Sequence, residues 1–315
     1  MSTPYHIPAL LTETLEGLHI RPEGVYVDAT FGGGGHSRAM YGQLSPQGQL
    51  FSFDRDPDAL AQAQTTYPDL FAAEQPRFTF VHSDFRYLSQ WMDYYHISAI
   101  DGLLADLGVS FHHFDTAGRG FSFRFQGPLD MRMNRGGGKT AADIVNTYNE
   151  EDLARVFYQY GELSQARPLA RRIVKARQQQ PVLRTEQLAA IALGENTLDI
   201  DTLAPLRKKT LTLLFQALRI EVNDELGALR ELLLSATQLL RKGGRIAILT
   251  YHSLEDRLVK NFFRAGNLEG EVQKDFYGNI LTPFRIIEKG RTATPEEVQS
   301  NPRARSAKLR VAEKL

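Results

Sequence analysis

Residues Val25-Tyr-Val-Asp-Ala-Thr-Phe-Gly-Gly-Gly-Gly-His36 carry an apolar, strand-like run straight into four consecutive glycines. Glycine loses more conformational freedom on folding than any other residue. A run of four therefore needs a reason: backbone angles closed to other residues, or a backbone that something approaches closely. Two readings are open, a tight turn with no ligand and a strand–turn–helix unit that receives a nucleotide-like molecule. The neighbouring sequence favours the second. Gln49 to Phe53, Phe78 to Val81 and Ile100 to Leu107 are further strand-like runs, separated by stretches long enough for crossover helices. With Val25 to Thr30 they give a βαβαβ rhythm, and hence an α/β fold with a mainly parallel, doubly wound sheet. Ligands on such sheets bind beyond the carboxyl ends of the strands.

The rhythm breaks after Ser110. Between 111 and 207 the patterns are helical (Glu151 to Tyr160, Pro168 to Gln179, Thr185 to Ala192) with no buried strand, which reads as an all-helical insertion. The expected division is residues 1–110 and 208–315 for the sheet domain and 111–207 for the insertion. A long helix from about Leu211 to Leu240 leads back to the sheet. The strand at Gly243-Gly-Arg-Ile-Ala-Ile-Leu-Thr-Tyr251 follows a glycine helix stop, and Phe284 to Lys289 and Lys308 to Ala312 supply the last strands.

An acid at the end of a second strand can accept hydrogen bonds from both hydroxyls of a ribose, and Asp54 in Phe51-Ser-Phe-Asp-Arg-Asp-Pro57 stands there. The dinucleotide spacing fails, because Ser37 occupies the place of the third glycine. Asp28 precedes the loop and no anion-binding residue joins it, which suits S-adenosylmethionine, a ribose-bearing cofactor without a pyrophosphate. Gly136-Gly-Gly-Lys-Thr140 imitates the end of a phosphate-binding loop, but Met133 stands where its first glycine is required and no strand precedes it.

At Asp101-Gly-Leu-Leu-Ala-Asp-Leu-Gly-Val-Ser110, Arg119-Gly-Phe-Ser-Phe123 and Pro128-Leu-Asp-Met-Arg-Met133 the chain resembles the bacterial small-subunit ribosomal RNA cytosine-N4 methyltransferases of the MraW/RsmH type. The likeness takes in His6, Asp28 to Ser37, Asp54 to Pro57, Phe215 to Asn223, His252 to Arg257 and Asn301 to Arg305. It implies a Rossmann-like class I methyltransferase fold, with S-adenosylmethionine held by Gly34, Gly35, His36, Asp54, Phe85 and Asp106. His113 stands where the family commonly has a cofactor-contacting Gln; imidazole can donate one hydrogen bond as Gln does, but it differs in shape and titrates. The implied partner is 16S ribosomal RNA in the assembled small subunit, with a homodimer left open.

The chain has no Cys, so it holds no disulfide, no thiolate metal site and no nucleophile for methylation at carbon C5 of cytosine. An exocyclic amine needs only in-line approach to the methyl and acceptors for its protons. The expected acceptors are Asp106 and Ser110 at the fourth strand end, with Tyr251, His252 and Ser253 after the Gly243 strand; of these Asp106, Ser110, His252 and Ser253 are the expected catalytic residues. Asp106 serves alternatively as a cofactor ligand. His252 orients the base, takes a proton, or merely fills a turn ahead of a Ser253-to-Asp256 capping pattern. Phe121, Phe123 and Tyr251 are available to stack on a base or to fill a core.

Lys+Arg 37 against Asp+Glu 37 gives net charge +0, so any nucleic-acid partner has to be read from local clusters. Arg167-Pro-Leu-Ala-Arg-Arg-Ile-Val-Lys-Ala-Arg177, Arg207-Lys-Lys209 and the series Arg303, Arg305, Lys308, Arg310 are three such clusters, each either a phosphate contact or a solvated basic face. No apolar run is long enough to span a membrane and no metal-ligand pattern is present, so a cytoplasmic protein without a metal is expected. An RNA-binding ribosome assembly factor, or a methyltransferase of another nucleobase, is the alternative reading.

Overall fold

A computed structural model describes residues 8–71, 77–108, 114, 116–196 and 199–315. The chain divides into two units, Met1–Gly108 with Leu226–Leu315, and Val109–Glu225.

The first unit is built on seven strands: β1 (Val25–Asp28), β2 (Gln49–Asp54), β3 (Phe78–His82), β4 (Ile100–Asp106), β5 (Leu240–Thr250), β6 (Phe284–Thr292) and β7 (Lys308–Lys314). Their order is β3-β2-β1-β4-β5-β7-β6, parallel from β3 to β5, with β7 antiparallel to both of its neighbours. This is the Rossmann-like class I methyltransferase topology. The order reverses between β1 and β4, where a doubly wound sheet opens a crevice at its strand ends.

Side-chain alternation assigns each face of the sheet its own core. Val27, Phe51, Phe53, Leu103, Ala105, Ile246 and Ile248 face one way, and Tyr26, Leu50, Leu104, Ala247, Leu249, Leu309 and Val311 the other. The first face is covered by α4 (Leu88–Tyr94), α10 (Glu225–Leu239) and α11 (Ser253–Ala265); the second by α1 (Leu11–Leu18), α2 (Gly35–Tyr41) and α3 (Pro57–Thr66). Leu229, Leu232, Leu233 and Ala236 of α10 form one apolar stripe at helical spacing, each Leu contributing about 1.5–3 kcal/mol on burial. The short helix α12 (Pro295–Ser300) lies between β6 and β7 in sequence.

The second unit is helical: α5 (Ala141–Thr147), α6 (Glu150–Gly161), α7 (Ala166–Arg177), α8 (Thr185–Leu193) and α9 (Pro205–Asn223). The sequence placed the return to the sheet domain at 208, inside α9. The unit instead runs to Glu225, because Leu211, Leu214, Phe215, Ala217 and Leu218 pack into the helical core with Leu153, Phe157 and Ile173. The single helix expected from Leu211 to Leu240 is two, broken at Asp224 with φ 45°. Asp tolerates this left-handed conformation without announcing it as glycine does. The expected glycine helix stop is absent too: α10 ends at Leu239, and Gly243, at φ 78°, lies inside β5.

Candidate functional site

The glycine turn has a structural explanation before a functional one. Gly32 and Gly34 sit at φ 51° and 76°, a region that favours glycine. A Cβ on Gly34 would lie 2.6 Å from Phe31 Cζ and 2.7 Å from Tyr67 Cε2, and one on Gly35 would lie 3.0 Å from Pro8 Cδ. Part of the close approach is therefore made by the chain's own rings. The turn is also tied to the second strand end, since Gly32 N–H donates to Asp54 Oδ2 at 2.8 Å while Asp56 N–H donates to Oδ1 at 2.8 Å.

Three carboxylates gather at the ends of β1, β2 and β4. Asp28 is fully buried; its Oδ1 accepts from Thr30 N–H at 3.0 Å and its Oδ2 from Ser37 Oγ at 2.6 Å, and Ser37 also meets Ser52 at 2.8 Å. Burial pushes the Asp28 carboxyl up to about 7 against these bonds, and the charges of Asp106 and Asp54 push the same way. Asp106 N–H donates to Thr30 Oγ1 at 2.6 Å, which pins the end of β4 to that of β1. Tyr251, just past β5, donates its hydroxyl to Asp106 Oδ1 at 2.7 Å. Burial first, then the Asp106 charge, raises the Tyr251 phenol well above its ordinary value, so it remains a donor.

His36 faces the other oxygen of the same carboxylate. Its Nδ1 lies 3.6 Å from Asp106 Oδ2, and its Nε2 lies 3.2 Å from Ala9 O. A carbonyl only accepts, so the proton of neutral His36 belongs on Nε2, and Nδ1 turns a lone pair toward Asp106. Burial lowers the imidazole's pKa, partly opposed by Asp106. Phe85 opens a short 3-10 turn after β3 and packs half-buried against the first core; Asp84 caps this turn and pairs with Arg55 at 2.9 Å.

Turn, acids and imidazole thus come together at the carboxyl ends of the strands, with Gly34, Gly35, His36, Asp54 and Asp106 at the ends of β1, β2 and β4 and Phe85 after β3. Ser110 and His113 lie outside the described residues. The donor set tests the expected cofactor. Asp54 and Asp106 beside a neutral histidine repel a pyrophosphate and favour a ligand that carries positive charge and offers hydroxyl donors. S-adenosylmethionine, with its sulfonium, ammonium and ribose, fits. Thr30 gives no signal in the sequence, and Tyr251, expected at this strand end as an acceptor or a stacking ring, instead donates its hydroxyl to Asp106.

His252 is the N-cap of α11. Its Nδ1 accepts from Glu255 N–H at 3.5 Å, and Glu255 Oε2 accepts from the backbone of Tyr251 at 3.0 Å and of His252 at 3.4 Å. The capping box thus begins one residue earlier than the sequence placed it. Ser253 is an exposed first helical residue, and Asp256 serves Arg310 at 2.7 Å rather than the cap. With Nδ1 accepting, neutral His252 carries its proton on Nε2. That atom is buried, 3.1 Å from Glu255 Oε1, and without a hydrogen bond of proper geometry.

The stacking candidates resolve as packing. Phe121 is buried in the helical core, Phe123 meets Phe215 edge-on at 5.6 Å, and the Tyr251 hydroxyl is committed to Asp106. The Arg119-to-Met133 motifs form a clamp within the helical unit. Arg119 donates to Met133 O at 2.9 Å, Arg132 grips Asp130 at 2.8 and 3.0 Å, and Asn223 bridges Met131 O and Met133 N–H, both at 2.8 Å. Burial would raise the Asp130 pKa, but the Arg132 bonds outweigh it and lower it.

The basic clusters divide. On α7, Arg167, Arg171 and Lys175 are exposed along one face, Arg171 there also reaching Glu150 at 3.3 Å, whereas Arg172 donates to Ala192 O and Arg177 to Val145 O at 2.7 Å, capping the ends of α8 and α5. Arg207 pairs with Glu195, and both Lys308 and Arg310 pair with Asp256.

The profile of the MraW methylase family matches residues 3–315. A protein named ribosomal RNA small subunit methyltransferase H from Parabacteroides distasonis is 54% identical over 313 residues, covering 99% of this chain and 98% of the relative. Proteins of the same name from Phocaeicola vulgatus and Bacteroides thetaiotaomicron are each 51% identical, covering 98% of this chain and 97% of the relative. With a match spanning nearly every residue, and the acids and glycine turn together at the carboxyl ends of the strands, this chain belongs to the MraW methylase family.

Proposed function

We propose that this chain transfers the methyl group of S-adenosylmethionine to the exocyclic N4 of a cytidine in 16S ribosomal RNA of the small subunit, in the cytoplasm. Family membership supports the reaction class, and the name shared by the relatives supports the substrate. The observation that carries the cofactor assignment is the gathering of Asp28, Asp54 and Asp106 at the ends of β1, β2 and β4 beside the glycine turn.

When bound, S-adenosylmethionine supplies an electrophilic methyl on a positively charged sulfur. Asp54, oriented by the N–H groups of Gly32 and Asp56, would accept hydrogen bonds from the ribose hydroxyls. Tyr251 and Thr30 fix Asp106 from two sides, leaving Oδ2 to accept from an incoming amine. An exocyclic amine that takes the methyl must lose one proton, and Asp106 Oδ2 would accept it. His252 caps α11 through Nδ1 and turns its buried Nε2 toward Glu255, so it holds the turn after β5 and does not take the proton. No helix among the described residues is long and apolar enough to cross a membrane.

For RNA, the exposed Arg167, Arg171 and Lys175 face of α7 provides sequence-independent phosphate contacts, and we assign substrate recognition to the helical unit. The test is nucleoside mass spectrometry after incubation with methyl-labelled cofactor and 16S ribosomal RNA, naked or in small subunits. Label on the exocyclic amine of cytidine is the expected result. Label on another base, or RNA binding without transfer, overturns the reading.

A further inference from the structure

After α11 the chain forms a short finger, residues 271–283, before entering β6. Lys274 and Ile280 pair across it. Asp275 closes the tip: its Oδ1 accepts from the N–H groups of Tyr277 at 2.9 Å and Asn279 at 2.8 Å, and its Oδ2 from Asn279 Nδ2 at 2.9 Å. Gly278 supplies φ 87° at the turn, and its N–H donates to Asp275 O at 3.0 Å. This bracing presents two adjacent rings to solvent, Phe276 at 98% exposure and Tyr277 at 85%, edge-to-face with centroids 5.6 Å apart.

Single exposed hydrophobes are ordinary. These two are the most exposed large hydrophobic side chains among the described residues, and a turn with five internal hydrogen bonds, the fifth from Asp275 N–H to Asn279 O at 2.9 Å, holds them outward.

The finger's base is fixed to the end of α11. Thr282 Oγ1 donates to Phe263 O at 3.2 Å, Arg264 to Gly270 O at 3.4 Å, and Asn267 Nδ2 to Glu271 O at 2.8 Å. Along α11, Arg257, Lys260 and Arg264 are exposed at i, i+3 and i+7, a cationic stripe running from the His252 cap toward the finger. Glu269 and Glu271 stand at the finger's start, and Ile280 and Leu281 are half-exposed on its returning strand.

We propose that the finger tip and the α11 stripe form a second RNA contact, in which Phe276 and Tyr277 stack on unpaired bases and Arg257, Lys260 and Arg264 follow the phosphates. Exposed π faces next to a basic track are what single-stranded nucleic acid requires. A protein partner would instead want a broad apolar patch around the rings, where this tip has Gln273, Lys274, Gly278 and Asn279. The thirteen residues of α11 span about 20 Å, so the stripe leads from near the His252 cap to the finger at the far end of the helix. The contact selects the RNA and not the methylated base. The proposal rests on the RNA-methyltransferase reading above.

The test compares wild type with Phe276→Ala/Tyr277→Ala, Phe276→Trp/Tyr277→Trp and Lys260→Ala/Arg264→Ala. The probes are a mixed-sequence single-stranded RNA and a duplex of equal length. Loss of both rings is expected to weaken single-strand binding at least about tenfold, with the duplex little affected. The Trp pair should keep wild-type affinity, the α11 pair should flatten the salt dependence, and S-adenosylmethionine affinity should be unchanged throughout. Wild-type affinity in the Ala pair overturns the proposal. So does a change in oligomeric mass with RNA affinity intact, which would make the tip a protein contact. Wild type that binds no RNA sinks the proposal together with its parent reading, whereas wild type that binds and methylates RNA regardless of the rings sinks the proposal alone.

Discussion

The Tyr251 hydroxyl donates to Asp106 Oδ1 at 2.7 Å across 145 positions of sequence, joining the end of β5 to the end of β4 at the strand ends where methyl transfer is assigned. The same tyrosine ring lies 3.1 Å from where a Cβ on Gly108 would stand, so the second residue after β4 has to be small for the contact to form. Tyr251 is therefore a positioning residue for the Asp106 carboxylate. Tyr251→Phe keeps the ring and removes the donor. A hydrogen bond to a charged group is worth about 1.5–3 kcal/mol, so a fall in kcat of roughly ten- to a hundredfold is expected, with folding retained. Steady-state kinetics at wild-type rate would show that Asp106 needs no such support.

Asp28 gives the pH dependence of stability. Its folded pKa, raised to about 7, exceeds its unfolded value of about 3.9, so the folded state binds the extra proton. Its contribution is therefore neutral below about pH 4, grows unfavourable as pH rises, and is fully unfavourable above about pH 7. Asp28→Asn removes the ionisation. Denaturant unfolding should show the stability of the variant gaining on wild type between pH 4 and 8, by up to a few kcal/mol. A pH-independent difference would mean that Asp28 titrates normally.

The α7 cations should separate by what they touch. Replacing Arg167, Arg171 and Lys175 by Ala is expected to weaken RNA binding and reduce its salt slope, with little change in melting temperature. Arg172→Ala and Arg177→Ala, which release the carbonyls of Ala192 and Val145, should instead destabilise by about 1 kcal/mol each. Filter binding across a salt series and thermal melts read the two effects independently.

Gly120 and Gly118 form a matched pair inside the clamp motif. Gly120 has φ 73°, and a Cβ there would fall 2.2 Å from Pro128 O; around Gly118 a Cβ meets nothing within 4 Å. Gly120→Ala should cost more than about 2 kcal/mol of stability, whereas Gly118→Ala should be neutral or slightly stabilising.

The sheet was legible because parallel strands buried on both faces read as near-continuous apolar runs, as β1, β2, β4 and the second half of β5 do. That the glycine turn, Asp54 and Asp106 stand at strand ends was legible because the apolar runs before them mark where β1, β2 and β4 stop. What failed depended on partners distant in sequence. Nothing local reveals that α9 spends its apolar face on Phe157, that Asp224 breaks the helix, or that Phe121 and Phe123 are core. Asp101 shares a motif with Asp106, yet it sits at the opposite end of β4, bonded to Arg21, Val25 N–H and Arg241. A motif in one dimension joins two ends of a strand that do different work.

The central claim is that the glycine turn, Asp54 and Asp106 hold S-adenosylmethionine, and a crystal soaked with that cofactor tests it most directly. The account predicts its ribose hydroxyls on Asp54 and its sulfonium end toward Asp106, with Asp54→Ala binding at least about tenfold more weakly by calorimetry. Density for the cofactor elsewhere on the chain, or wild-type affinity in the variant, would contradict it.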